Sequence, residues 1–289
     1  MGFVTALGTP TDLSGNLNTG SMCQQIDMQI DFHAVGLLAL GSMGIQPYLS
    51  QRVFLQTVET CCNHVAGRVP LYVGVSDLSI ARVQERIDAI SGLRIDAVVS
   101  TVPYYNQLTQ HEIYTFYREI ARTSEYPLFL YDLPAVTKTP IAPSTIERLI
   151  NDEPNIRGIK TAQLPTIRAI RDTKPDYFSL FYSGLDTMDM VISSSVPVGL
   201  DGMFCVAGEK THELFSALND DRSDDAARAL SSILRIRDTF ISFGVFSSFT
   251  AAMNIIGVEG RFHPDYCREL SATEKLKIEH VLREEGIIT

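Results

Sequence analysis

The chain has 289 residues, 45% of them hydrophobic and 20% charged, which suits one α/β barrel of about 250 residues plus extensions better than two small domains. Its formal net charge of −10 excludes a nucleic-acid surface, since phosphate binding needs clustered Lys and Arg. A small anionic substrate held by a few donors in a cleft stays compatible with that charge.

In chain order, FVTAL, GLLAL, PLYVGV, IDAVVST, PLFLYD, IRGIK, FSLFYS and GLDGMF are eight short runs rich in β-branched and aromatic residues, recurring every 25 to 35 residues or roughly so. Between them apolar residues return at helical spacing, as in Val53, Leu55, Val58 and Cys62, or Ile113, Phe116, Tyr117 and Ile120. Ser50 before its run, Thr109 three before Glu112 and Ser144 three before Glu147 are expected to start helices by capping. Apolar strands alternating with helices imply a parallel sheet covered on both faces, and eight such units predict a closed (βα)₈ TIM barrel. After the eighth strand only helices are expected, over 209–218, 222–242, 248–256 and 271–285. Residues 1–220 are therefore read as the catalytic barrel. Residues 221–289 form a three-helix C-terminal extension of the same domain, since no flexible linker precedes it.

The five cysteines, Cys23, Cys61, Cys62, Cys205 and Cys267, show no paired metal spacing and read as free thiols in a reducing cytoplasm. The opening MGFVTALGTP lacks a basic leader, and no apolar run approaches about 18 residues, so neither secretion nor a membrane partner is expected. His33, His64, His111, His212, His263 and His280 lack paired ligand spacing, so no metal is expected.

Catalytic groups in such a barrel gather at the C-terminal ends of the strands. Those places hold Ser42, Thr101 with Tyr104 and Tyr105, Tyr131 with Asp132, Lys160, Ser183 and, just beyond, Asp186. Lys160 ends a buried apolar strand, where desolvation is expected to disfavour the ammonium form. The neutral amine condenses with a ketone, and the resulting iminium draws electrons from the neighbouring carbon. The bland alternative is a lysine turned to solvent or paired with a carboxylate. Tyr131 ends the preceding strand, so its phenol is expected within a hydrogen bond of the lysine as acid/base. Without that lysine it would be a half-buried packing residue.

TALGTPTD with a following Gly-Asn-Leu, GSMG then PYLS, VPYYN, YDLPAVT, GIK, YSGLD and GLDGM occur in that order. Through them nearly the full chain resembles the dihydrodipicolinate synthase and N-acetylneuraminate lyase family, which includes 2-keto-3-deoxygluconate aldolases. The resemblance implies that Lys160 forms a Schiff base with pyruvate and that Tyr131 is the acid/base tyrosine. It places Ser42 where the family's Gly-Thr-Thr-Gly segment has the hydroxyl linking two tyrosines, and Tyr105 as the second tyrosine. Relatives commonly supply that tyrosine from a neighbouring subunit, so a homodimer or homotetramer is implied. Backbone amides around Ser42 and Met43 would hold the substrate carboxylate, and Thr9 and Phe204 are placed with the substrate too. The iminium is itself the electron sink, so no cofactor is expected.

Several positions depart from the family pattern. Met43 replaces a second hydroxyl, Ile45 and Gln46 follow where many members carry Glu, and Asp132 stands where Asn is usual. Val136 occupies the place of the arginine that holds a semialdehyde carboxylate in dihydrodipicolinate synthases, so a bidentate clamp is lost, with Lys138 nearby as a point charge. The Pro-Ala-Val-Thr run looks more like sugar-acid lyases, and Gly184, Asp186 and Thr187 match positions that bind sugar hydroxyls, although Ala162 and Val206 lack the hydroxyls of neuraminate lyases. The segment IDFHAVGLLAL looks several residues short, which predicts a truncated helix end near the barrel rim that loosens site or fold. The expected function is a pyruvate-dependent lyase cleaving a 2-keto-3-deoxy sugar acid or sialic-acid-like substrate. The alternatives are a dihydrodipicolinate synthase, or a silent relative serving as a binding or structural oligomer.

Overall fold

Strand-length apolar runs that are buried on both faces have to be covered by helices, and here they are. The computed structural model describes residues 1–193 and 196–289. Strands β1 (Gly2–Ala6), β2 (Gly36–Ala39), β3 (Leu71–Gly74), β4 (Ala97–Thr101), β5 (Leu128–Asp132), β6 (Ile156–Thr161), β7 (Ser179–Tyr182) and β8 (Val198–Asp201) pair in parallel, each with the next, and β8 returns to β1 to close the barrel. Helices α1 (Thr19–Asp31), α2 (Gln51–Val65), α3 (Ile80–Ala89), α4 (Gln110–Thr123), α6 (Pro143–Asp152), α7 (Leu164–Ile170) and α9 (Gly208–Asn219) supply the cover. Short α5 (Pro134–Thr137) and α8 (Met188–Val191) sit in the loops after β5 and β7. The barrel is followed by α10 (Ser223–Phe243), α11 (Val245–Ile255) and α12 (Ala272–Glu284), with α10 packed on α8, α9, α11 and α12.

The strand–helix alternation implies one helix in each gap, but the gap between β5 and β6 holds two, α5 and α6; Pro134 sits in the first turn of α5, where a missing N–H costs nothing. Ser50 and Thr109 do cap α2 and α4, the latter with the full reciprocal Thr109–Glu112 box. Ser144 does not cap. The helix starts a residue earlier at Pro143, leaving Ser144 inside its first turn. The GLDGMF run also ends as a strand at Asp201, and Met203–Cys205 coil into a 3₁₀ turn.

The short segment before β2 is accommodated without a break. Phe32 N–H closes α1 on Met28 O, His33 takes a left-handed φ of 66°, and Val35 N–H donates to Phe3 O at 2.8 Å as the chain enters the barrel. This αβ connection lies at the N-terminal end of the strands, opposite the catalytic mouth of a parallel barrel. It therefore does not loosen the rim at which the site was expected.

Side chains alternate along each strand. Val4, Ala6, Leu38, Val99, Phe129, Tyr131, Phe181 and Leu200 fill the barrel interior, while Phe3, Leu37, Val73 and Val98 face the helices. Tyr72, Phe129 and Phe181 pack edge-on or tilted with centroids 5.1 to 5.3 Å apart. Gly158 makes room for them, since a Cβ there would stand 2.2 Å from the Phe129 ring. This aromatic layer is the floor on which the residues at the strand ends rest.

Candidate active site

Lys160 and Tyr131 are direct neighbours because β5 and β6 pair in the register Tyr131↔Lys160. Both belong to the inward-facing set. Lys160 is 6% exposed and Tyr131 7%, and no carboxylate among the described residues forms an ion pair with the lysine. The bland readings, a lysine in solvent or in a salt bridge, therefore do not hold. The contact differs from the one expected, however. The Lys160 Nζ lies over the face of the Tyr131 ring, 4.2 Å from its centroid, while the phenol oxygen is turned to Ser42 Oγ at 3.4 Å. One tyrosine thus touches the amine with its ring and the hydroxyl loop with its oxygen.

Ser42 is carried by a loop bracketed by two left-handed residues, Leu40 (φ 58°) and Ile45 (φ 47°). Such angles are uncommon for non-glycine residues and a clear outlier for a β-branched one, so the surroundings must impose them. Thr9 is one clamp: fully buried, its Oγ1 donates to Gly44 O at 2.7 Å. Thr9 therefore holds the loop from beneath and does not line the cavity. Met43 packs against Gly202, where a Cβ would come within 2.8 Å of the Met43 Cβ.

A cavity of about 190 Å³ opens at the ends of β2 to β5, lined by Ser42, Gln46, Tyr48, Ser76, Thr101, Tyr104, Tyr131, Leu133 and Val136. Lys160 does not line it, so Tyr131 is the side chain that joins the amine to the cavity. Sequence reasoning singled out Ser42, Tyr131 and Val136, and placed Thr101 and Tyr104 at the mouth. It gave no role to Tyr48, which lies within the PYLS motif, and it missed Ser76, which follows β3 and carries no motif. Tyr104 has its phenol pushed above the usual range by burial and by the Asp77 carboxylate. A larger cleft of about 960 Å³ lies between α11, α12 and residues 11–18 and shares no lining residue with this cavity.

Other expected site residues fall elsewhere. Tyr105 is 83% exposed and outside the cavity of its own chain. Phe204 is fully buried against Phe3 and Phe215 on the helix side of the barrel, a core residue. Lys138 ends α5 with a φ of 61°, and its Nζ donates to Ala135 O at 3.0 Å. Asp186 is ion-paired with Arg237 of α10 at 2.8 Å, Thr187 Oγ1 lies 2.6 Å from the Tyr182 hydroxyl, and Gly184 rests against that same hydroxyl. These three form a tie between the loop after β7, the barrel and α10, away from the cavity.

A buried and a part-buried carboxylate border the site. Asp132 is raised above the ordinary carboxylate range by burial, against hydrogen bonds from Ile141 N–H and Thr161 Oγ1; it ties the α5 loop to β6. Asp201 is likewise raised by burial, against the Met203 N–H and the charges of Lys160 and Arg237. Among the described residues no three His, Cys, Asp or Glu converge as a metal ligand set. No helix is long and apolar enough to cross a membrane.

A closed parallel barrel with a buried lysine and a phenol at the ends of adjacent strands is compatible with a carbon–carbon lyase of the class I aldolase kind, the class to which the family below belongs. A sequence model described as the dihydrodipicolinate synthetase family matches residues 1–284, and the chain belongs to that family. It is 36% identical over 219 residues to a 4-hydroxy-tetrahydrodipicolinate synthase of Porphyromonas gingivalis, covering 75% of this chain and 72% of the relative. A second relative of that name, from Enterococcus faecalis, is 29% identical over 89% of each chain. Among solved structures, a dihydrodipicolinate synthase from Thermotoga maritima superposes with a TM-score of 0.91 at 20% identity, over 99% of both chains. The chloride-inhibited synthase of Acinetobacter baumannii complexed with pyruvate gives 0.90 at 22%, also over 99% of both. At such identities these two speak for the fold alone.

Proposed function

We propose that the chain is a pyruvate-dependent aldolase that cleaves a 2-keto-3-deoxy sugar acid or sialic-acid-like substrate. The observation that carries the imine chemistry is the buried Lys160 lying on the Tyr131 ring while the Tyr131 hydroxyl faces Ser42; the sugar-acid half is supported by a cavity wall with Val136 and no cation. The neutral amine attacks the 2-oxo carbon, and loss of water leaves an iminium. Tyr131, having given its own proton to the departing hydroxyl, then takes the proton of the C4 hydroxyl, the C3–C4 bond breaks with its electrons passing into the iminium, and the aldehyde departs. The enamine is then protonated at C3, and water releases pyruvate and the amine. Backbone N–H groups at Ser42 and Met43 receive the carboxylate, preorganised by the strained loop. Tyr105, too exposed to act in its own chain, completes the proton path from a neighbouring copy in a dimer or tetramer, in the cytoplasm.

Borohydride reduction with pyruvate tests the reading. A mass adduct on Lys160 is expected, and its absence would leave only a silent binding or structural oligomer. The second enzymatic reading is the synthase after which the relatives are named, favoured by the 36% identity to one of them. Against it stands Val136, with no cationic side chain among the residues lining the cavity. Product analysis with keto-deoxy sugar acids against aspartate semialdehyde divides the two.

A further inference from the structure

Four buried side-chain polar atoms among the described residues lack a hydrogen-bond partner, and two of them, Gln46 Nε2 and Thr101 Oγ1, belong to residues lining the one cavity beside Ser42 and Tyr131. Gln46 is 1% exposed and Thr101 6%. Thr101 must face inward, because it alternates with interior Val99 and pairs in register with Tyr131. A buried polar group left unpaired is costly, and Val or Leu would fill either position without that cost.

We propose that Gln46 and Thr101 form a hydrogen-bonding subsite for an uncharged oxygen of the aldehyde half of the substrate. The carboxamide and the hydroxyl each offer a donor and an acceptor, so each can pair with a substrate hydroxyl. Beyond Ser42 and Tyr131 the wall sets the hydroxyl side chains Tyr48, Ser76 and Tyr104 beside Pro47, Leu133 and Val136, and it has no cation, so a carboxylate placed there would be desolvated without a counter-charge. The subsite therefore selects a neutral, hydroxylated aldehyde over an apolar or an anionic one. This inference rests on the aldolase reading above.

The test uses the full chain with pyruvate and three probe aldehydes: glyceraldehyde, propanal and aspartate semialdehyde. Near-isosteric Thr101→Val and Gln46→Met remove the polar atoms while keeping volume. Each is expected to lower the ratio of kcat/KM for glyceraldehyde to that for propanal by about tenfold, the worth of one neutral hydrogen bond, with aspartate semialdehyde the poorest substrate throughout. An unmoved ratio, equal losses on both neutral aldehydes, or a Lys160 adduct with no aldehyde turned over would each overturn the subsite. Failure of pyruvate to form the adduct at all would instead overturn the aldolase reading, and the subsite with it.

Discussion

Tyr131 makes two separable contacts, its ring with the Lys160 Nζ and its hydroxyl with Ser42. Tyr131→Phe keeps the first and deletes the second, so it should retain the fold and slow turnover by about 10² to 10⁴, the range for one acid/base group. An unchanged rate would remove the phenol from the mechanism. Lys160→Ala should abolish both turnover and the borohydride adduct. Asp132 gives a prediction in pH. Burial raises its folded pKa, so its contribution to stability is present below the unfolded value and is lost as pH rises through the folded one. Asp132→Asn should therefore be more stable than the parent at pH 7.5, with the gain shrinking towards pH 4 as the parent's carboxyl takes up its proton. Urea midpoints at the two pH values that differ by the same amount would show the carboxylate is not the cause.

At the scale of elements, the helix side and the interior of the barrel take different substitutions. Phe204 lies among Phe3 and Phe215, so Phe204→Ala should cost about 3 to 5 kcal/mol in chemical denaturation as a core truncation. A loss confined to substrate KM, with stability intact, would return Phe204 to the substrate. The strands were legible because their runs are rich in β-branched and aromatic residues, although GLDGMF was read past its end at Asp201, and the Thr109 start of α4 because its capping box is local chemistry. Ser144 was misplaced because Pro143 fits the first helical turn and moves the start forward. The loop carrying Ser42 was not legible in shape, since left-handed backbone at Leu40 and Ile45 is imposed by tertiary clamps such as Thr9, where sequence would call for glycine. Tyr131 and Lys160 could be paired from their strand-end positions. That the amine would meet the ring face could not, because it depends on side-chain directions set by the aromatic layer below.

At the scale of the whole molecule, Tyr105 poses the sharpest question, being exposed in its own chain while its neighbour Tyr104 lines the cavity. If it serves the site of another copy, catalysis needs Lys160 from one protomer and Tyr105 from its partner. Each single variant, Lys160→Ala or Tyr105→Phe, then has only impaired sites. A two-fold interface makes mixed dimers informative: the Tyr105→Phe protomer keeps Lys160 and receives an intact Tyr105 from its Lys160→Ala partner, whereas the other site has neither. Dissociating and reassociating equal amounts of the two variants should thus restore activity to about a quarter of the wild-type level, since half the dimers are hybrid and each has one good site of two. Activity that stays at the average of the separate variants would place Tyr105 outside the catalytic path of any copy, leaving Tyr131 and Ser42 to move the proton alone.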